Sequence, residues 1–162
     1  MNLHLQADIK TQTLSVYKAQ HCEQRYAIST AANGAGEQKN SFQTPRGWHQ
    51  IRAKIGANCP ANTVFISRRP TGELYSPELA KASPPRDWIL TRILWLSGLE
   101  LHKNRLGNVD TMQRYIYIHG SPDSVIMGTP GSRGCIRMRN ADIIALFDRV
   151  EVGTKIFIQE SL

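Results

Sequence analysis

Short β-type segments separated by glycine, proline and asparagine turns fill this chain, and one stretch alone carries a helical period. A chain patterned this way buries its apolar surface as sheet rather than as a helical bundle. Residues 3–5 and 13–18 alternate apolar and polar side chains, which predicts an opening hairpin. A third strand is read at 25–30, closed by Asn33-Gly34-Ala35-Gly36. Thr44-Pro45-Arg46-Gly47 is a further turn, followed by strands at 48–54 and 63–67. Thr71-Gly72-Glu73 reads as a turn, and 76–80 as one helical turn with Ser76 as cap and Pro77 at its first position. Residues 89–96 are apolar on both faces, as in a central strand. Residues 114–119 are rich in β-branched and aromatic side chains and deliver His119 at a strand end. Between them, 99–112 is polar and glycine-containing, a loop that is a candidate flap. Asn140 is the expected cap of a helix over 141–149, whose Ile143, Ile144, Leu146, Phe147 and Val150 share a face. A last strand falls at 155–159. The predicted architecture is mainly β, a sandwich or curved mixed sheet with one main helix near the C-terminus, in one domain over 1–162.

Composition narrows the function classes. The chain has 162 residues with 41% hydrophobic and 20% charged side chains, enough for a real core and too apolar for disorder. No apolar run approaches the roughly 18 residues that a membrane helix needs. The first residues show neither a basic nor an apolar leader pattern, so the expected location is cytoplasmic, or periplasmic if the native form is exported. The net charge of +7 favours anionic partners. Its arginines are dispersed, without a basic stripe of interleaved aromatics, which argues against nucleic acid. Cys22, Cys59 and Cys135 are odd in number and widely spaced, so neither a disulfide framework nor a zinc motif is expected. Cys22 and Cys59 read as inert thiols. His4, His21, His49 and His102 read as solvent-facing and build no metal site. Trp48 and Trp95 read as core, and Tyr115 and Tyr117 as packing residues on one strand face.

One pair carries chemistry. His119, in Ile118-His119-Gly120, and Cys135, in Ser132-Arg133-Gly134-Cys135-Ile136-Arg137-Met138, stand 16 positions apart in glycine-containing turns. A thiol is nucleophilic as thiolate, and a neighbouring imidazole can take its proton. Glycine before the cysteine lets consecutive N–H groups point at a developing oxyanion. This is a minimal kit for acyl transfer through a thioester.

Together with the Thr44-Pro45-x-Gly47 turn, these motifs resemble the L,D-transpeptidase catalytic domain, the YkuD-domain family, over nearly the whole chain. The resemblance implies a β-rich fold with one main helix. It also implies attack on the peptidoglycan stem-peptide bond between the third-position diamino acid and D-alanine, without metal or cofactor. It makes Cys135 the nucleophile and His119 the base, oriented by the Gly120 carbonyl. The N–H groups of Gly134 and Cys135 would form the oxyanion hole, with Arg133 as a further contributor. Ser132 would brace the loop, Arg137 would bind a substrate carboxylate, and Ser132 and Arg133 would also contact substrate. Many members carry histidine where this chain has Arg133; a guanidinium favours the thiolate there but cannot act as a base. Without an export signal the expected activity is L,D-carboxypeptidase action on muropeptides. Crosslinking or D-amino-acid exchange is the alternative, and a non-enzymatic peptidoglycan binder the third reading. A carbapenem is the expected inhibitor.

Overall fold

β1 (Leu3–Asp8) and β2 (Thr13–Lys18) pair antiparallel as the hairpin that their alternation predicts, with Leu5 opposite Val16. This computed structural model describes residues 2–160. The chain continues through β3 (His21–Ala27), β4 (Gly47–Ile55), β5 (Thr63–Ile66), β6 (Arg69–Leu74), the short helix α1 (Pro77–Ala82) and β7 (Ile89–Gly98). A 3₁₀ turn at Gly107–Val109 precedes β8 (Tyr117–Gly120), β9 (Ile136–Met138), α2 (Asn140–Arg149) and β10 (Lys155–Gln159). All the strands join one mixed sheet in the order β3-β2-β1-β10-β4-β7-β5-β6, with β8 on β7 and β9 on β8. The pairs β1·β10 and β8·β9 are parallel. Bulges interrupt several ladders and bend the sheet. The curved mixed sheet, rather than two stacked sheets, is thus the form the chain takes.

Strand alternation sorts side chains between two faces. On one face Leu5, Val16, Ile51, Leu94, Leu96, Ile118, Ile136 and Ile156 form the main core. The apolar stripe of α2, Ile143, Leu146 and Phe147, packs into it, with Val150 just beyond the helix. On the other face a smaller cluster of Phe65, Ile93 and Tyr117 lies against Trp95 and Cys135. In β8, Ile118 enters the main core while Tyr117 and His119 face the small cluster's side. In β9, Ile136 and Met138 enter the core, leaving Cys135 and Arg137 on the face of His119.

Several expectations need correction. Thr71-Gly72-Glu73 lies inside β6; the reversal occurs at Ser67-Arg68, whose φ values of 50° and 65° give the mirror-image turn that fits twisted hairpins. The third strand leaves the sheet after Ala27, and residues 28–32 run instead along the Cys135 loop, with Ala32 N–H donating to the Ser132 carbonyl. β8 begins at Tyr117, because Tyr115 has φ 56° and its N–H closes a turn onto the Met112 carbonyl. Asn140 is not the cap of α2 but its first residue; its side chain accepts from Thr91 Oγ1 at 2.6 Å and donates to Asn62 Oδ1 at 3.1 Å. His49 is buried rather than solvent-facing, held between the Gly47 carbonyl and Thr111 Oγ1. Trp48 is not core: it is 38% exposed and packs on Phe157. The 99–112 loop is anchored by buried Asn104, which donates to the Arg46 and Trp48 carbonyls. Among the described residues, no helix is long and apolar enough to cross a membrane.

Candidate active site

The parallel register of β8 and β9 turns a separation of 16 residues into adjacency. His119 stands opposite Arg137. Cys135, one residue before β9, lies beside Tyr117, whose N–H donates to Sγ at 3.3 Å. His119 follows Tyr117 by two residues and therefore shares its face.

The loop that presents the thiol is braced by two side chains, one its own and one from the Thr-Pro turn. The Ser132 hydroxyl donates to the Cys135 carbonyl at 2.5 Å and accepts from the Gly134 N–H at 3.2 Å. Thr44, from the Thr-Pro turn, donates to the Gly134 carbonyl at 2.9 Å and accepts from the Ala31 N–H. Gly134 has φ 130°, and a Cβ there would meet Ile116 Cδ1 at 3.1 Å and the Gln43 carbonyl at 3.2 Å, so the position requires glycine. Ser132, expected to brace the loop, ties it together by these two bonds, and the Gly134 N–H, expected at the oxyanion, donates here to Ser132. The Cys135 N–H has no hydrogen-bond partner among the described residues.

His119 is 1% exposed, with Nδ1 2.6 Å from the Gly120 carbonyl. A carbonyl only accepts, so Nδ1 carries the proton and the Nε2 lone pair is left free. Nε2 is buried and without a partner. Burial lowers the pKa of this imidazole below its ordinary 6.5, partly offset by the Gly120 carbonyl and the Asp87 carboxylate. Burial also pushes the Cys135 thiol up to about 12, with the Tyr117 N–H opposing. The thiol donates to the Tyr115 carbonyl at 3.4 Å. Burial thus favours the neutral form of both groups, thiol and imidazole.

Cys135 opens into a cleft of about 410 Å³ with an apolar floor of Phe65, Ile89 and Ile93. Arg68, Arg114, Arg133 and Asp87 supply its charge. Arg133 is exposed on the rim. Arg137 does not hold a free guanidinium toward substrate: it donates to Asp87 Oδ1 at 3.2 Å and to the Gly131 carbonyl at 3.1 Å. Asp87, Arg68 and Arg114 escaped sequence reasoning, since they come from separate segments that only the sheet brings together. Tyr115 is 53% exposed and lines the cleft rather than packing inside it. Cys22, Cys59 and Cys135 are all free thiols. Residues 99–112 do not line the cleft. Among the described residues no three His, Cys, Asp or Glu side chains group to hold a metal.

A buried histidine of fixed tautomer beside a strand-end cysteine, on a mixed sheet covered by one main helix, is an arrangement suited to acyl transfer through sulfur. Residues 2–158 match the family model described as L,D-transpeptidase catalytic domain (YkuD), and the chain belongs to that family. The probable L,D-transpeptidase ErfK/SrfK of Salmonella typhimurium is 49% identical over 45 residues, 28% of this chain and 15% of its own. The probable L,D-transpeptidase YbiS of Escherichia coli K12 is 46% identical over 48 residues, 29% of this chain and 16% of its own. The matched segments thus span only a small part of those curated relatives. An L,D-transpeptidase structure from Mycobacterium smegmatis superposes with TM-score 0.58 at 22% identity, covering 98% of this chain and 58% of that one. L,D-transpeptidase 3 from Mycobacterium tuberculosis, solved with a faropenem-derived adduct, gives 0.61 at 15% identity, with 98% and 60% covered. These two share the fold.

Proposed function

We propose that Cys135 carries acyl groups of peptidoglycan stem peptides as a thioester, with water as the acceptor: an L,D-carboxypeptidase that trims tetrapeptide to tripeptide. One observation carries the reading, the unpartnered Nε2 of His119 on the face of Cys135. Sγ attacks the carbonyl carbon between the diamino acid and D-alanine while Nε2 takes the thiol proton. The imidazolium then returns that proton to the departing D-alanine amine. Water, deprotonated by the same Nε2, opens the thioester and frees the thiol. Gly120 holds the tautomer, as a carboxylate does in a serine triad. The Cys135 N–H is the donor available to the oxyanion.

Three arginines against one aspartate in the cleft favour a peptide bearing carboxylates and disfavour an ammonium acceptor, which supports hydrolysis over crosslinking. The names of the curated relatives support the alternative, transpeptidation. Three free thiols suit a reducing compartment, and we place the activity in the cytoplasm, on muropeptides. Mass spectrometry of a disaccharide-tetrapeptide, with and without excess glycine, decides the acceptor. Tripeptide at equal yield in both is expected. Glycine-exchanged product would make the enzyme a transpeptidase, and no turnover would remove the enzymatic reading. A carbapenem is expected to leave a mass adduct on the wild-type protein and none on Cys135→Ala.

A further inference from the structure

Arg68 has no place in the chemistry described above, yet its guanidinium is held in the cleft by two aromatic rings and one hydrogen bond. Its guanidinium carbon lies 4.7 Å from the centre of the Trp95 ring and 4.8 Å from that of Tyr115, and Nη1 donates to the Tyr117 hydroxyl at 2.9 Å. Tyr117 is the same residue whose N–H contacts the Cys135 sulfur. Arg68 has no carboxylate partner among the described residues, and four of its five N–H donors are left for a ligand. It is presented by the β5–β6 turn, where Ser67 and Arg68 both adopt positive φ, a backbone that asparagine or glycine adopts more readily.

The other arginines in or beside the cleft are less available. Arg137 is held by Asp87 and the Gly131 carbonyl. Arg114 is committed to Gln43, Ser41 and Gly36. Arg133 is exposed and would lose side-chain freedom on binding. A guanidinium already fixed on two rings avoids that loss and offers a planar fork to an oxyanion.

We propose that Arg68 is the specificity-determining residue that anchors a carboxylate of the donor peptide, the role that the motif alone assigns to Arg137. The proposal rests on the stem-peptide reading. Two carboxylates share this chemistry: the C-terminal one of D-alanine and the second one of the third-position diamino acid.

The test compares wild type, Arg68→Met and Arg68→Lys on a disaccharide-tetrapeptide and on its mono-amides at those two carboxylates. Losing one charge-assisted hydrogen-bonded contact corresponds to roughly a 10- to 100-fold change. Arg68→Met is expected to raise KM by that factor with kcat retained, and Arg68→Lys to recover part of it. Amidating the anchored carboxylate should cost wild type the same factor and cost Arg68→Met nothing, and the amide that behaves so identifies the carboxylate. Equal penalties for amidation in wild type and Arg68→Met, or an unchanged KM in Arg68→Met, would overturn the proposal. Wild type failing to turn over the tetrapeptide would instead sink the stem-peptide reading. In that event, equilibrium binding of the same three peptides in the Cys135→Ala background still tests the anchor. Equal affinity for acid and amides refutes it.

Discussion

Cys135 and His119 both favour the neutral form, because burial disfavours each charged form. Alkylation of Cys135 by iodoacetamide should therefore be slow at pH 7 and climb into the alkaline range without a plateau. His119→Ala should change that alkylation little at pH 7, yet lower kcat/KM by about 10²- to 10⁴-fold, the range for loss of a general base. A fast alkylation plateau at neutral pH, abolished in His119→Ala, would instead reveal a standing thiolate–imidazolium pair. The sign for the histidine follows the same physics. Its active form is neutral and its pKa lies below 6.5, so the acid limb of kcat/KM should fall below 6.5. Asp87 disfavours the thiolate and favours the imidazolium. Asp87→Asn should speed alkylation at a given alkaline pH and move the acid limb downward, and slower alkylation or an upward acid limb would place Asp87 elsewhere in the electrostatics.

At the scale of elements, α2 shows how a local rule yields to packing. Asparagine before an apolar stripe is a sound cap signal. Here Asn140 instead ties the helix start to Thr91 and Asn62, and its Oδ1 fills the space against Gly120 that a Cβ would need. Asn140→Ser keeps a capping residue type but leaves buried partners unpaired. It should cost about 1–3 kcal/mol in chemical denaturation. A cost near zero would restore the cap reading. α1 shows the opposite case: Ser76 accepts from the Leu79 N–H at 3.0 Å, as its sequence says, because nothing buried competes for its hydroxyl. The β5–β6 hairpin misled for another reason. Gly72 sits inside β6 with φ 88°, whereas the true turn places serine and arginine at positive φ, where asparagine, aspartate or glycine is the usual signal.

For the whole molecule, His49 is a pH sensor of stability. Burial holds its pKa at about 4, against 6.5 when unfolded. Between those values the unfolded chain binds a proton that the folded one refuses. The contribution is thus fully present above 6.5 and is lost as pH falls toward 4. It amounts to about 3 kcal/mol, and His119 adds to it with the same sign. Denaturant unfolding at pH 7.5 and pH 5 should show this loss, and His49→Gln should flatten it; an unchanged pH slope would remove His49 from the account. What the sequence determined by itself is local. Period-2 alternation produced β1 and β2, a 3.6 period produced α2, and the spaced His-Gly and Ser-x-Gly-Cys motifs marked the candidate pair Cys135 and His119, because each of these depends on neighbours along the chain. What only the tertiary structure decided is long-range. Asp87, Arg68 and Arg114 reach Cys135, Asp87 occupies Arg137, and His49 is buried, because strand order and register, not sequence distance, determine which side chains share a face of the sheet.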